Sequence, residues 1–203
     1  MSLPDEPAAS EEKPMRAVMY EVPQELLVQR RKIGADRWDE MWDGVLHMVP
    51  CPNSDHQELE GQIEFELRRL WLPRTGGRVL HQMNVARPGR WPNDYRIPDI
   101  VLLMPERCSR DRKQYIEGGP DVAIEIRSPG DETYEKLPFY AEIGVRELWV
   151  VDRDSKAVEV HALEGDAPRA VPWDVEGWIA SAATALELRT SGTRVEMRWQ
   201  GER

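Results

Sequence analysis

Apolar and polar positions recur with two different periods along the chain, and these periods predict helices and strands. Helical spacing of apolar residues predicts helices over residues 23–32, 54–72 and 131–143, and Pro138 predicts a kink or a late start in the third. Ser54 and Gln57 form a candidate capping box at the start of the second helix. Short apolar runs bounded by turn-forming residues predict strands instead. These runs cover residues 78–86, 100–104, 122–127, 147–151, 157–163, 186–188 and 194–197.

A β-hairpin is predicted ahead of the longest helix. Residues 37–42 and 45–49 flank Asp43-Gly44, a pair that favours a tight turn with positive φ. Residues 87–95 are rich in proline, glycine and asparagine, so we predict a loop there. The order of hairpin, helix, strands, helix and strand is typical of a mixed sheet with helices on its faces. The sequence therefore predicts an α/β fold.

The composition indicates a single folded domain. The chain has 203 residues, of which 40% are hydrophobic, and the eight tryptophans favour a sizeable core. Residues 1–14 are polar and proline-rich, so we predict a disordered leader there and one domain over 15–203. Neither a signal peptide nor a membrane span is expected, which favours a cytoplasmic location. Cys51 and Cys108 lack metal-ligand spacing and are predicted to be free structural thiols.

The formal net charge of −10 is unfavourable for a protein that binds phosphate groups, because such proteins use lysine and arginine. Local basic segments nevertheless exist, at residues 30–32 and 107–113. The second segment lies in sequence between two strands that carry acidic residues. We therefore predict that it forms a loop beside those acidic residues and contacts nucleic acid. Solvated surface charge is the alternative. The predicted contacts are Arg107, Arg110, Arg112 and Lys113.

Two carboxylates accompany the apolar strands in the middle of the chain. Asp99 opens the strand over 100–104, and Glu125 lies inside the strand over 122–127. Alternation along that strand places Glu125 and Arg127 on the same face. A buried carboxylate is costly without a cation, and Lys136 follows soon afterwards. These residues predict a divalent-metal site at one end of the sheet, with the two carboxyl groups a few ångströms apart.

Each of these residues also has a simpler interpretation. Asp99 can cap a turn, and Glu125 can form an ion pair with Arg127. Lys136 can be a solvated helix lysine. If its ammonium instead points into the cleft of Asp99 and Glu125, replacement by alanine should abolish activity while leaving folding nearly intact, because a partly exposed helix lysine contributes little to stability. His56 lies on the apolar stripe of its helix, so a core-edge histidine and a neighbour of the metal both stay open. No Gly-x-Ser-x-Gly motif or glycine-rich phosphate loop competes with the metal site.

Several motifs follow one another in a fixed order between residues 40 and 163. They are the run EMWDGVLHMVP at 40–50, His56, Pro98-Asp99, EIRSP at 125–129, KLPFY at 136–140 and GVRELWVVD at 144–152. In this order and spacing they resemble the Uma family of restriction-endonuclease-like proteins. That family is placed in the PD-(D/E)XK nuclease superfamily, and the resemblance covers most of the predicted domain.

The resemblance implies a restriction-endonuclease-like fold, in which a mixed central sheet is flanked by helices. It implies that Asp99 and Glu125 bind Mg²⁺ or Mn²⁺ and that a lysine completes the catalytic set. Arg127 holds the position of the superfamily's usual lysine, and Lys136 on the following helix resembles a migrated substitute. Arg127 cannot act as a base but can hold a phosphate. The resemblance also places Glu40 and His56 around the metal ligands.

The activity implied by the resemblance is Mg²⁺-dependent endonucleolytic hydrolysis of phosphodiester bonds. DNA is the expected partner, RNA stays open, and a homodimer is considered. The alternative is a catalytically inactive nuclease-fold module that binds nucleic acid or a protein, which Arg127 and the negative charge favour. A third candidate is a metal-dependent hydrolase of smaller phosphate esters.

Overall fold

A computed structural model describes residues 18–19, 22–165 and 167–202. The predicted leader at 1–14 lies outside these residues. The helices are α1 (Gln24–Ile33), α2 (Ser54–Glu66), α3 (Leu72–Thr75) and α4 (Leu137–Glu142). The strands are β1 (Val18–Met19), β2 (Glu40–Trp42), β3 (Val45–His47), β4 (Arg78–His81), β5 (Asn84–Ala86), β6 (Tyr95–Arg96), β7 (Ile100–Leu103), β8 (Tyr115–Glu117), β9 (Val122–Arg127), β10 (Glu147–Asp152), β11 (Val158–Ala162), β12 (Arg169–Ala170), β13 (Ile179–Ala180), β14 (Leu186–Ser191) and β15 (Arg194–Trp199).

The central sheet has the strand order β12-β11-β10-β9-β7-β4. Strands β9 and β10 pair in parallel, whereas β9 and β7 pair antiparallel, so the sheet is mixed. A second sheet has the order β1-β3-β2-β6-β5-β8, and a third consists of β13, β14 and β15. The predicted α/β fold with a mixed central sheet is confirmed. No helix among the described residues has the length and apolar character needed to cross a membrane.

Helices α2 and α4 cover opposite faces of the central sheet. On one face, Leu59 and Ile63 of α2 belong to the same buried cluster as Ile124 of β9. On the other face, Tyr140 of α4 belongs to a cluster with Ala123 of β9. Adjacent residues of β9 therefore face different helices, as strand alternation requires. Glu125 consequently points toward the α4 side, although apolar residues surround it in the sequence.

The predicted hairpin is confirmed, but two strands form where one was predicted over 78–86. In the hairpin, β2 and β3 pair across Asp43 and Gly44, both of which have positive φ. Further along, β4 belongs to the central sheet and β5 to the second sheet. The chain changes sheet after Gln82, whose φ is 46°. Periodicity could not reveal this break because both halves are apolar enough to be strands.

The cap of α2 differs from the sequence prediction, whereas α4 shows the late start predicted from Pro138. The side chain of Asn53 caps α2 by accepting the backbone N–H of His56 at 3.0 Å, so the Ser54–Gln57 capping box is wrong. Helix α4 begins at Leu137 after a 3-10 turn over Thr133–Lys136. This late start follows from Pro138, which fits the first turn of a helix because no N–H is needed there. Both starts place polar side chains at the same end of the central sheet.

Candidate active site

A cavity of about 420 Å³ lies at the end of the central sheet where α2 begins and β9 ends. Its walls include the segments 48–53 and 128–133. Most charged side chains along the cavity are acidic. Among the described lining residues, the lysine is Lys136 and the arginine is Arg153. The acidic lining residues are Glu40, Asp99, Glu125, Asp131 and Glu132. The site is therefore negative, and a phosphate can approach only with additional positive charge.

Asp99 is fixed at the start of β7 by two contacts. Its Oδ2 accepts the backbone N–H of Ile126 at 2.6 Å, which ties it to β9. Its Oδ1 lies 2.9 Å from Nε2 of His56 on α2. The pairing of Ile100 with Ile124 places Asp99 level with Glu125 in the register of the two strands. The structure therefore brings the two predicted acidic residues to the same strand end, as expected.

Around Asp99 lies a group that we call the histidine cluster, composed of His56, Glu60 and Asp99. His56 and Glu60 are four residues apart on α2 and therefore share a helix face. One potential ligand atom from each residue lies within 4.8 Å of the others. His56 is thus a direct member of a possible metal-binding group, and Glu60 was not recognised from the sequence. The i, i+4 spacing of His56 and Glu60 is the pattern that could have revealed it.

A second group, which we call the lysine cluster, surrounds Glu125 and consists of Glu40, Glu125, Lys136 and Tyr140. Lys136 Nζ lies 3.1 Å from each oxygen of Glu125 and 2.8 Å from Oε1 of Glu40. The hydroxyl of Tyr140 donates to Oε1 of Glu125 at 2.6 Å. The expected approach of Lys136 to Glu125 is therefore present, and Glu40 belongs to the same network.

The sequence-based expectation that Lys136 is a partly exposed helix residue is wrong. Lys136 is 9% exposed, and Glu40 and Glu125 are 1% and 5% exposed. Removal of a buried ammonium group leaves its buried carboxylate partners without an opposing charge, which strongly destabilises the fold. Replacement of Lys136 is therefore expected to destabilise the fold rather than to leave folding nearly intact.

The two clusters perturb their titratable groups in different ways. Burial lowers the pKa of Lys136, but the charges of Glu125 and Glu40 outweigh burial and raise it. Burial raises the pKa of Glu125 to about 8, against the opposing charge of Lys136. Burial and the charge of Asp99 also raise the pKa of Glu60. For His56, burial lowers the pKa, and the hydrogen bond and charge of Asp99 reverse this effect and raise it.

Arg127 does not join the catalytic candidates in the cavity. Its guanidinium donates to Asp152 at 2.6 Å across the parallel β9–β10 pair and lies over the ring of Tyr134. Arg127 follows Glu125 on the same strand face, but it lies at the strand end, where β10 supplies an acidic partner. The structure therefore places Lys136, rather than Arg127, beside Glu125.

The basic segment 107–113 lies at the opposite end of β7 from Asp99, so it is not a loop beside the site. Arg107 donates to the carbonyls of Gly119 and Pro120, at 3.1 and 2.9 Å. Arg110 also donates to the carbonyl of Gly119, and Arg112 pairs with Glu117. The sequence suggested proximity because the segment connects two acidic strands, but the antiparallel pairing of β7 and β9 separates it from the cavity.

The mixed sheet, with two carboxylates and a lysine at one end, is the architecture of a nuclease-like α/β protein. A crystal structure described as a "putative nuclease belonging to DUF820" from Anabaena variabilis superimposes with a TM-score of 0.53 and 18% sequence identity. The similarity covers 66% of this chain and 75% of that chain, and at this identity it establishes the fold.

A family model places the chain more specifically. The model Uma2, described as "Putative restriction endonuclease", matches residues 27–194. The chain therefore belongs to the Uma2 family, and the resemblance found in the sequence motifs is confirmed. A search of curated proteins finds no significant match.

Proposed function

We propose that this chain is a divalent-metal-dependent endonuclease that hydrolyses phosphodiester bonds of nucleic acid, with DNA as its target. The observation that carries the proposal is the meeting of Asp99, Glu125 and buried Lys136 around one cavity. Membership in a family described as restriction endonucleases supports the same reaction class. A cytoplasmic location and a homodimeric state belong to the proposal as predictions.

The chemistry of the donor groups around the cavity fits a divalent cation. Carboxylate oxygens are suitable ligands, and the acidic groups outnumber the cationic ones. Oδ1 of Asp99 lies beside Nε2 of His56, while Oδ2 accepts the N–H of Ile126. Asp99 and Glu125 are the proposed ligands. A bound divalent ion lowers the pKa of a coordinated water and neutralises the charge that develops on the phosphate.

The other side chains of the lysine cluster orient the reacting groups. Tyr140 and Lys136 donate to Glu125 and fix the direction of its carboxylate. Lys136 also places a positive charge beside the cavity, where it stabilises the negative oxygens of the transition state. Glu40 holds the same ammonium at 2.8 Å and is therefore a positioning residue for Lys136. Arg153 lines the cavity, where it pairs with the exposed Asp154, and its guanidinium is the proposed contact for a phosphate oxygen.

A nuclease assay tests this proposal. Labelled single-stranded and double-stranded DNA and RNA are incubated with the protein in Mg²⁺, in Mn²⁺ and in EDTA. We expect cleavage of DNA with metal, none with EDTA, and a loss of at least about 100-fold in Asp99→Asn and Glu125→Gln, which keep the side-chain shapes. Glu142→Gln, an exposed acidic site on α4, is the matched control and should keep full activity. Cleavage that survives EDTA or both active-site variants contradicts the proposal.

The competing function is a nuclease-fold module that binds nucleic acid or a protein without cleaving it. Two observations favour it: Arg127 is engaged with Asp152, and the ammonium of Lys136 is shared between two carboxylates. The same assay separates the functions when binding is measured in parallel by fluorescence anisotropy. Salt-sensitive binding without cleavage under any metal condition supports the binding module.

A further inference from the structure

We propose that His56, Glu60 and Asp99 form a mixed nitrogen–oxygen site that binds a divalent first-row transition ion such as Mn²⁺ in preference to Mg²⁺. This inference rests on the proposed metal-dependent function, in which Asp99 and Glu125 are ligands, and it specifies the ion and two additional ligands on the Asp99 side, His56 and Glu60. The sequence analysis assigned no metal role to Glu60 and placed His56 only near the metal.

The three residues converge from two separate elements. His56 and Glu60 face the same side of α2, and Asp99 reaches them from the start of β7. Their potential ligand atoms lie within 4.8 Å of one another. Ligands on opposite sides of one ion, with bonds of roughly 2.0–2.2 Å, are separated by about 4 Å. A shift of a few tenths of an ångström per side chain therefore suffices for all three to bind one ion.

An unsatisfied buried oxygen provides an independent indication of a ligand. Glu60 is 5% exposed, and its Oε1 accepts no hydrogen bond from any described residue. The imidazole Nδ1 of exposed His81 is 3.5 Å from Oε1, and Oε2 accepts one long hydrogen bond from Gln82 at 3.3 Å. An acceptor left unpaired in the interior destabilises the fold, so its retention needs an explanation. A cation bound at Oε1 removes that cost.

Another buried glutamate shows that burial alone does not leave a carboxylate oxygen without a hydrogen-bond donor. Glu147 is 3% exposed, yet both of its oxygens have close donors. Its Oε1 accepts the N–H of Ala182 at 2.8 Å, and its Oε2 accepts the hydroxyl of Ser181 at 2.6 Å. Glu147 is therefore a structural carboxylate, satisfied by its own chain. Glu60 differs because the described residues around it leave an oxygen without a donor.

The contact between His56 and Asp99 marks the position that the ion would take. Nε2 of His56 and Oδ1 of Asp99 are 2.9 Å apart and share a proton. An ion that binds both atoms replaces this proton, because a coordinating imidazole nitrogen must be unprotonated. The N–H of Ile126 continues to hold Oδ2 of Asp99, which keeps the carboxylate oriented. His56 and Asp99 both line the cavity, so the ion would be reachable from it.

The donor set determines the class of ion. Imidazole nitrogen suits first-row transition ions such as Zn²⁺, Fe²⁺ and Ni²⁺, and Mn²⁺ accepts it within a set of carboxylate ligands, whereas Mg²⁺ prefers oxygen ligands and retains several waters. One imidazole and two carboxylates therefore select a transition ion. A site formed by carboxylates and carbonyl oxygens alone would not show this preference.

Electron paramagnetic resonance of Mn²⁺ tests the inference without any substrate. The full chain is titrated with Mn²⁺ at pH 8, and Mg²⁺ is then added as a competitor. We expect one Mn²⁺ per chain, at least 10-fold tighter binding than Mg²⁺, and a nitrogen coupling from one imidazole. His56→Gln should abolish the nitrogen coupling, and Glu60→Gln should weaken Mn²⁺ binding by at least about 10-fold.

The matched control is Glu64→Gln, one helical turn after Glu60, where the carboxylate pairs with Arg68 at the surface. Glu64→Gln should bind Mn²⁺ as the parent does, and circular dichroism should confirm that all three variants are folded. Equal affinity for Mg²⁺, absence of nitrogen coupling in the parent, or unchanged Mn²⁺ binding in both cluster variants overturns the inference. Binding as expected without cleavage of nucleic acid leaves this site standing and rejects only the proposed function.

Discussion

The lysine cluster and the histidine cluster each combine two carboxylates with one basic side chain, but they differ in how many hydrogen-bond donors their carboxylates have. The lysine cluster supplies Glu125 with an ammonium and a hydroxyl donor, and Glu40 shares that ammonium. The histidine cluster has two carboxylates and one imidazole, and Oε1 of Glu60 has no hydrogen-bond donor among the described residues. Both oxygens of Glu125 have donors within the protein, whereas an oxygen of the buried Glu60 has none among the described residues.

This difference indicates a division of roles within one cavity. A cluster that contains its own cation holds a fixed geometry without a ligand, which suits the orientation of Glu125 as a proposed metal ligand. A cluster without enough cations gains stability when an external cation binds.

Removal of the internal cation should produce the largest effect. Lys136→Met leaves the buried carboxylates of Glu40 and Glu125 without their ammonium, so we expect a loss of about 3–5 kcal/mol in the free energy of unfolding. Urea denaturation measures this change. The double variant Lys136→Met/Glu125→Gln removes one of the stranded charges and should recover part of the loss. A loss below about 1 kcal/mol in Lys136→Met would show that Glu40 and Glu125 do not depend on the ammonium of Lys136 in the folded chain.

The second-largest change in the free energy of unfolding is expected when Mn²⁺ binds to the histidine cluster. At a Mn²⁺ concentration of 100 times the dissociation constant, a single site stabilises the fold by about 2.7 kcal/mol. Thermal unfolding with and without Mn²⁺ measures this difference. In Glu60→Gln the Mn²⁺-dependent rise in melting temperature should largely disappear, while Glu64→Gln retains it. An equal rise in both variants would locate the ion elsewhere.

The pH dependence of stability should reveal the buried carboxylate of Glu125. Its pKa is raised from 4.5 to about 8 in the folded chain, so the folded state binds the proton more tightly than the unfolded state. Its stabilising contribution is complete below pH 4.5 and is lost as the pH rises through 8. Because His56 and Glu60 also have raised pKa values, stability should fall between pH 5 and pH 8.

Glu125→Gln isolates this contribution because glutamine does not titrate. The fall in unfolding free energy between pH 5 and pH 8 should become shallower by about 1 kcal/mol per pH unit, as one proton fewer is exchanged. Urea denaturation at four pH values measures the slope. An unchanged slope would show that Glu125 does not hold a proton in this range.

The smallest effect is expected at the basic segment 107–113. Arg112 and Lys113 lie at the far end of β7 from the cavity, and Arg112 is already paired with Glu117. The double variant Arg112→Ala/Lys113→Ala should change nucleic-acid affinity by less than about twofold. Arg153→Ala, in the cavity wall, provides the contrast and should weaken binding more. A larger effect from the distant pair would favour the original sequence-based prediction of nucleic-acid contacts there.

Much of the fold and part of the site could be predicted from local sequence pattern. The Asp43-Gly44 turn, the alternation along β9 and the late start of α4 beside Pro138 depend on residues close together in the chain. The same alternation located Glu125 on the face opposite to Ile124. Glu60 escaped notice because a glutamate on a helix is usually exposed, and only packing of α2 on the sheet buries it.

The sequence alone determined which residues carry charge within apolar segments, because side-chain periodicity is a property of the local backbone. Tertiary structure decided which charges meet. Glu40 and Lys136 are 96 residues apart, and His56 and Asp99 are 43 apart, yet each pair is in contact. Strand order also directed Arg127 to Asp152 rather than to the cavity. The physical reason is that the energy of a buried charge depends on its neighbours in space, which the strand pairing and helix packing select.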